Sequence, residues 1–268
     1  MTAERPGHLV CVGLGITLGS QLSEMARNQL QQADMVFFHA NSHYLRGFLA
    51  RLNPNLMDMQ SCYQRGGSRL DSYEAMVEVV MQAVQQGKQV CWACYGHPGI
   101  ASWPPHQAIR RLRALGFRAE MQPGISADAC LWADLGEDPM DSGCLQLEAS
   151  RFLFQQPQID ISAWLVLWQP GIAGDHTLRR LESDRQALAA LVQKLGRWYP
   201  LEHQVILYEA AELPIWRPRI DRLPLSALPE ARLEQITTLV IPPASGKQAD
   251  TAMLDQLGVP GDHPLRCV

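Results

Sequence analysis

What this sequence lacks narrows the field before what it contains does. No apolar run approaches the ~20 residues of a membrane-spanning helix. Lys and Arg number 23 against 27 Asp and Glu, a formal net charge of -4 with a pI of about 6.1, so the basic excess that nucleic-acid binding requires is missing. The opening MTAERPGH is polar and runs straight into a strand pattern, with no charged-then-apolar leader, so no secretory signal is expected. There is no internal repeat and no low-complexity tract. Seven cysteines are an odd number, scattered through apolar segments, which excludes a disulfide framework and implies reduced thiols in a cytoplasmic protein. A metal centre is not expected either. Cys91 and Cys94 look like a metal or redox pair, but on a strand residues three apart point to opposite faces, and His97 has no second His or Cys at ligand spacing on its own element. The dinucleotide fingerprint is also missing: Gly13-Leu14-Gly15-Ile16-Thr17-Leu18-Gly19 is G-x-G-x-x-x-G, one residue off.

What is present organises around Val90–Trp103, VCWACYGHPGIASW. Val90 to Ala93 is the apolar run of a buried strand. Tyr95-Gly96-His97-Pro98-Gly99 then breaks every regular pattern, because two glycines open backbone angles closed to other residues and Pro98 fixes φ. A strand that stops so abruptly presents Tyr95 and His97 at its carboxyl end, where open α/β sheets bind ligands.

A length of 268 residues, 47% apolar and 19% charged, fits about two domains. In the first half strands and helices alternate: strands at His8–Val12, Met35–Phe38, around Val90 and at Arg118–Met121, and helices at Gln21–Gln32, around Tyr44–Leu52, at Ser72–Gln86 with Asp71 as N-cap, and at His106–Leu115 with a solvated face of Arg110, Arg111 and Arg113. That alternation predicts a mainly parallel sheet. Pro123-Gly124-Ile125-Ser126-Ala127 interrupts it, with Ser126 placed to cap a helix to about Leu135. The second half carries more strands per helix: Leu145–Glu148, Ala163–Gln169, Val205–Tyr208 and Ile236–Ile241, one helix over Asp184–Trp198, and a proline-rich edge or irregular segment at Pro214–Pro229. The expected division is an α/β domain over 1–122, a second α/β domain with a mixed sheet over 123–243, and a loosely docked or disordered tail over 244–268. Two such domains leave a cleft that suits a small molecule.

Three of these features together, the glycine turn after the first strand, Tyr95-Gly-His-Pro-Gly99 and Pro123-Gly-Ile-Ser-Ala127, resemble the tetrapyrrole methylase superfamily, whose members have two α/β domains and fold S-adenosylmethionine into the cleft between them. The superfamily's common Gly-Asp-Pro is Gly96-His97-Pro98 here, and the first loop lacks its Gly-Pro-Gly. Those departures point to one branch. Tyr-Gly-His-Pro-Gly, the run Gly124 to Gly136 with Asp138-Pro139, Glu148-Ala-Ser150, Trp198-Tyr-Pro-Leu201 and Thr237 to Pro243 resemble the borosin α-N-methyltransferases, from about Leu9 to Pro243.

That resemblance implies methylation of backbone amide nitrogens of a ribosomal precursor peptide, with S-adenosyl-L-homocysteine as by-product. In many members the peptide is fused to the enzyme. Residues 244–268 contain no run of small apolar residues of the core-peptide kind, so the split type is expected, with the precursor as a separate protein and a homodimer that makes a heterotetramer with it. Trp103, Trp132 and Trp216 suit burial in such a dimer or in the core. No nucleic acid or membrane partner is expected.

By the same resemblance the catalytic residues are Tyr63, Arg69, Tyr73 and Tyr95, and the cofactor is held by Tyr95, His97, Ile100, Ser126, Ala127, Gln169, Ala210, Thr237 and Thr238. An amide nitrogen is a poor nucleophile because its lone pair is delocalised into the carbonyl, so the chemistry needs the N–H proton removed and the imidate oxygen stabilised. A tyrosine beside a guanidinium offers both, with Tyr73 as the base or its relay and Arg69 on the oxygen. Two other readings account for less of this pattern: a C-methyltransferase on a corrinoid precursor, which has no use for the Tyr63–Arg69–Tyr73 set, and a non-catalytic partner that binds the cofactor or the peptide.

Overall fold

The computed structural model describes residues 6–39, 43–63, 67–180, 182 and 184–266. The chain is α/β and divides into two compact units. The first runs to Gly136 and takes in Thr177–Arg179 and Ala210–Arg219; the second holds Glu137–His176, Arg180–Glu209 and Ile220 onward. The division falls after Gly136 rather than at the expected 122/123. The helix capped by Ser126 is tied back to the first unit, where Cys130 Sγ receives the Gln21 amide at 3.3 Å.

The first unit reads β1 (His8–Gly13), α1 (Glu24–Gln32), β2 (Met35–Phe38), α2 (His43–Leu52), β3 (Leu56–Asp58), α3 (Arg69–Gln85), β4 (Gln89–Cys94), α4 (Trp103–Ala114), β5 (Arg118–Met121) and α5 (Ala127–Leu135). Its five strands form one sheet in the order β3-β2-β4-β1-β5, every pair parallel. Both faces are covered, which is why β1 and β4 read as unbroken apolar runs. Val10, Val12, Val36, Phe38, Cys91 and Ala93 pack with α1 and α2. Leu9, Cys11, Phe37, Val90 and Trp92 pack with α3 and α4. Cys91 belongs to the first cluster and Cys94 packs against the second, so period-two alternation separates the two thiols. Burial raises the pKa of both, Cys91 to about 12.

Three helix starts differ from expectation, each for a local reason. α1 begins at Glu24, capped by Ser23, because the Gln21 side chain is engaged with the preceding loop: its Oε1 accepts the N–H groups of Ile16 and Thr17 at 2.7 and 3.0 Å. α3 begins at Arg69, not Ser72. Ser68 is its cap, accepting from Leu70 N at 3.1 Å, and the Arg69 N–H goes to Leu178 O at 2.8 Å. α4 begins at Trp103, because Pro104 and Pro105 fall in the first turn, where a missing N–H costs nothing.

The second unit contains α6 (Pro139–Ser142), β6 (Cys144–Glu148), α7 (Ala149–Phe154), β7 (Trp164–Trp168), α8 (Arg185–Leu195), β8 (Gln204–Glu209), β9 (Arg219–Pro224), β10 (Thr238–Ile241) and α9 (Thr251–Gln256). Its sheet, β6-β7-β10-β8-β9, is mixed: β6 and β7 are parallel, and β10 is antiparallel to β7 and β8. β9, from the proline-rich segment, is an edge strand, as the missing donors require. One face packs Leu165, Leu167, Leu207, Leu239 and Ile241 on Phe152, Leu191, Leu195 and Tyr199.

The tail is more ordered than expected. Ala244 N bonds Ile161 O at 2.8 Å and Lys247 pairs with Asp160 at 2.9 Å. Asp250 caps α9, and Arg266 reaches back to Val259 O and Asp255 at 2.6 Å each. Arg111 and Arg113 are not simply a solvated face either: Arg111 pairs with Glu74 and Glu78, and Arg113 Nε donates to Ala119 O at 2.7 Å. No helix among the described residues is long and apolar enough to cross a membrane.

Candidate active site

β1 and β4 are neighbours, yet the chain leaves them in opposite directions, from β1 across to β2 and from β4 across to β5. The helix after β1 lies on one face and the helix after β4 on the other. The carboxyl ends of such a strand pair cannot be closed by their own connections, so a crevice opens there. Both glycine turns sit on it. Leu14 N bonds Cys94 O at 2.9 Å, and Gly15 and Gly96 exchange N–H···O bonds at 3.0 and 3.4 Å. Gly96 and Gly15 have φ of +66° and +74°, angles that L side chains rarely adopt. Close approach is absolute at Gly13 and Gly124. A Cβ on Gly124 would lie 2.6 Å from both Gly13 Cα and Gly96 O. Three loops therefore meet backbone to backbone: 13–19, 95–100 and 124–127.

The predicted cofactor residues of the first unit stand on these loops. Tyr95 and Ile100 are 45% and 52% exposed, and Ile125, which had not been singled out, is 41% exposed. His97 Nδ1 accepts the Gly99 N–H at 2.9 Å, so in the neutral ring its proton is on Nε2, as a donor. Ser126 caps α5 and Ala127 is its first residue. Ala210 follows β8, and the next residues join the 13–19 turn: Thr17 Oγ1 donates to Ala211 O at 2.9 Å and Leu18 N to Glu212 O at 2.7 Å. Apolar side chains left open beside a directional donor are the lining a small organic cofactor uses, so this end of the sheet fits S-adenosylmethionine.

The predicted catalytic group is partly assembled. Starting α3 at Arg69 puts Arg69 and Tyr73 four residues apart, on one helix face. The Tyr63 ring meets Tyr73 edge-on, 6.4 Å between centroids. Burial, then Tyr73, push the Tyr63 phenol well above its ordinary pKa, with Arg69 pulling the other way. His39, just past β2, lies with its ring 5.1 Å from Tyr63, and Trp103 stacks on Tyr73 at 6.4 Å. Neither was expected here; only the fold brings them. Tyr95 differs from the other three. Its phenol is pushed up to about 12 by burial first, then by the charge of Glu212 and by Cys130, so its electrostatic neighbours belong to the glycine turn and α5. Of the three tryptophans suited to a dimer, Trp103 is half-buried on Tyr73 and Trp132 is half-buried with Nε1 on Asp128 at 2.9 Å. Trp216 is exposed, edge-on to Tyr44.

The remaining cofactor residues, Gln169, Thr237 and Thr238, lie in the second unit. The register that pairs Thr238 with Trp168 brings Thr237 and Gln169 to the same end of β10 and β7. Gln169 sits at φ +57°, a left-handed conformation that costs a residue with a Cβ and persists where its surroundings over-determine it. Thr237 and Thr238 are buried; the Thr237 hydroxyl bonds Glu209 and accepts from Glu234 N at 2.7 Å. Among the described residues no group of His, Cys, Asp and Glu is placed to hold a metal ion.

Known proteins resemble this chain in sequence and in fold. A methyltransferase/gymnopeptide precursor of Gymnopus fusipes is 34% identical over 260 residues, 96% of this chain and 62% of that protein. The corresponding omphalotin A precursor of Omphalotus olearius is also 34% identical over 260 residues, with the same coverage. A methyltransferase/type III borosin cyclic peptide precursor of Anomoporia bombycina is 36% identical over 243 residues, 89% of this chain and 28% of that protein. The chain thus spans about three-fifths of the first two relatives and less than a third of the last. The fold matches the uroporphyrin-III C-methyltransferase of Thermus thermophilus with a TM-score of 0.65 at 19% identity, covering 97% of this chain and 99% of that one. It matches a cobalt precorrin-4 methyltransferase with a TM-score of 0.63 at 15% identity, covering 88% and 94%. The pattern that defines the tetrapyrrole (corrin/porphyrin) methylases covers residues 8–213, and this chain belongs to that family.

Proposed function

We propose that this protein is an S-adenosylmethionine-dependent methyltransferase that N-methylates backbone amides of a ribosomal peptide, and that the peptide reaches it as a separate chain. The observation that carries the reading is the edge-on Tyr63–Tyr73 pair with Arg69 on the same helix face as Tyr73. Methylating a carbon nucleophile gives a half-buried pair of phenols no task, whereas an amide nitrogen needs a base and a cation. The relatives named as methyltransferase and cyclic peptide precursor in one protein support the same substrate class.

The residues divide the work by their chemistry. Burial holds the Tyr63 phenol protonated, and its place edge-on to Tyr73 lets it stabilise negative charge that forms there. Tyr73 as phenolate takes the amide proton. Arg69, charged at any relevant pH, holds the imidate oxygen. A proton transfer from an amide to a phenolate is uphill, so turnover is slow. When bound, S-adenosylmethionine supplies a methyl group on a positively charged sulfur. Tyr95, His97, Ile100, Ser126, Ala127 and Ala210 hold it at the glycine turns, and Gln169, Thr237 and Thr238 of the second unit are assigned to it as well. Aligning nitrogen and methyl contributes several kcal/mol, ~7 or more in a well-formed site. A homodimer, joining two precursor chains into a heterotetramer, is part of the same proposal.

The test is mass spectrometry of a candidate precursor coexpressed with the protein. Steps of +14 Da, located by fragmentation to backbone nitrogens, are the expected result. A precursor that binds and gains no mass would overturn it, and a methylated corrinoid would replace it.

A further inference from the structure

We propose that the first turn of α4 positions both halves of the reaction: His106 sets the cofactor loop through Gly99, and Trp103 sets Tyr73. The inference rests on the function proposed above. Gly99 is held on both sides. Its N–H donates to His97 Nδ1 at 2.9 Å, and its carbonyl is 2.9 Å from His106 Nε2. A carbonyl only accepts, so the His106 proton is on Nε2. An N–H only donates, so His97 Nδ1 is bare and its own Nε2–H faces outward as a donor. The tautomer of the cofactor-loop histidine therefore depends on where Gly99 is held, and His106 is the group that holds it.

The loop has little slack. A Cβ on Gly99 would lie 2.7 Å from Met121 Sδ and 3.2 Å from His106 Nε2. Ile100 N closes back on His97 O at 3.4 Å, and Ala101 is at φ +50°. That left-handed alanine is held between the His106 bond and the start of α4, and such strain persists only where its neighbours impose it.

Three residues before His106, Trp103 lies 6.4 Å from Tyr73 with the rings inclined by 27°. α4 is tied to α3 where Arg111 pairs with Glu74, the residue after Tyr73, at 2.8 and 2.9 Å and with Glu78 at 3.2 Å. One helical turn thus touches the loop of the methyl donor and the base. His106 is exposed, so its bond competes with water and its effect is modest, about fivefold in affinity.

Calorimetric titration with S-adenosylhomocysteine and steady-state methylation separate the two roles. His106→Leu is expected to weaken S-adenosylhomocysteine about fivefold and leave kcat at saturation within about twofold. His106→Gln, whose amide nitrogen reaches the same carbonyl, restores the affinity. Trp103→Ala does the reverse, lowering kcat with the affinity unchanged, and Trp103→Phe restores kcat. His106→Leu binding like the wild type, or both variants shifting affinity and kcat alike, overturns the proposal. Imidazole nitrogen-15 shifts of the wild type decide it independently of any variant's folding. Both His97 and His106 are expected as the Nε2–H tautomer, and a proton on Nδ1 of either overturns the bracing. A wild type that binds no S-adenosylhomocysteine removes the proposed function instead, and the nitrogen shifts still decide the bracing.

Discussion

Two regions at one end of the first sheet are built on different physics. The glycine turns are specified by backbone: three loops approach so closely that a single methyl group has nowhere to go. The tyrosine group is specified by side chains: Tyr63, Tyr73, Trp103 and His39 meet through their rings, and the backbone beneath them is an ordinary helix and loop. In the proposed function the first region makes a place, and the second supplies reactivity. The difference also separates the failures expected of each, since a change in one should leave the other standing.

The largest effect should come from the tyrosine side. Tyr73→Phe removes the hydroxyl proposed as the proton acceptor, and a general-base contribution of ~10²–10⁴ in rate is expected to vanish. Affinity for S-adenosylhomocysteine should stay as it was. A near-normal rate would take Tyr73 out of the mechanism.

The glycine side breaks in the opposite way. Gly124→Ala places a Cβ against Gly13 Cα and Gly96 O, both backbone atoms that cannot swing aside. A loss of ~1–3 kcal/mol of stability is expected, as for other overpacked sites, together with weaker cofactor binding. Denaturant unfolding and calorimetry measure the two. Wild-type stability in this variant would mean that the three loops are looser than they look.

The smallest and most gradual effect sharpens the comparison through pH. Burial raises the pKa of Tyr63, and raises Tyr95 and Cys91 from 10.0 and 9.0 to about 12 each. Below the ordinary thiol value both folded and unfolded chains keep these protons, so they add no slope. As pH climbs from there toward about 12, the unfolded chain releases protons that the folded one retains, and stability falls. Unfolding midpoints measured from about pH 8 to about pH 11 should decline. Tyr63→Phe should decline less steeply than the wild type, and an equal slope would mean that the Tyr63 hydroxyl is not shielded.

Much of the scaffold was legible because local rules and tertiary need agreed. Met35–Phe38 and Arg118–Met121 appear with the bounds that the pattern predicts. The break at Tyr95-Gly96-His97-Pro98-Gly99 marked a strand end because glycine and proline leave few alternatives. The helix starts were less legible. Asp71 looked like the cap of α3, but an N–H to Leu178, more than a hundred residues away, made Ser68 the cap and drew Arg69 into the helix. The helix expected from His106 begins at Trp103, because Pro104 and Pro105 fit its first turn.

By itself the sequence determined where strands end in glycine and which thiols are buried apart. Those are matters of local sterics and periodicity, and they travel with the chain. Only the tertiary structure decided that burial raises the Tyr63 phenol, that His39 and Trp103 stand against the tyrosine pair, and that His106 holds Gly99. Each of those depends on burial and on contacts between residues far apart in the chain, and no pattern along one dimension contains them.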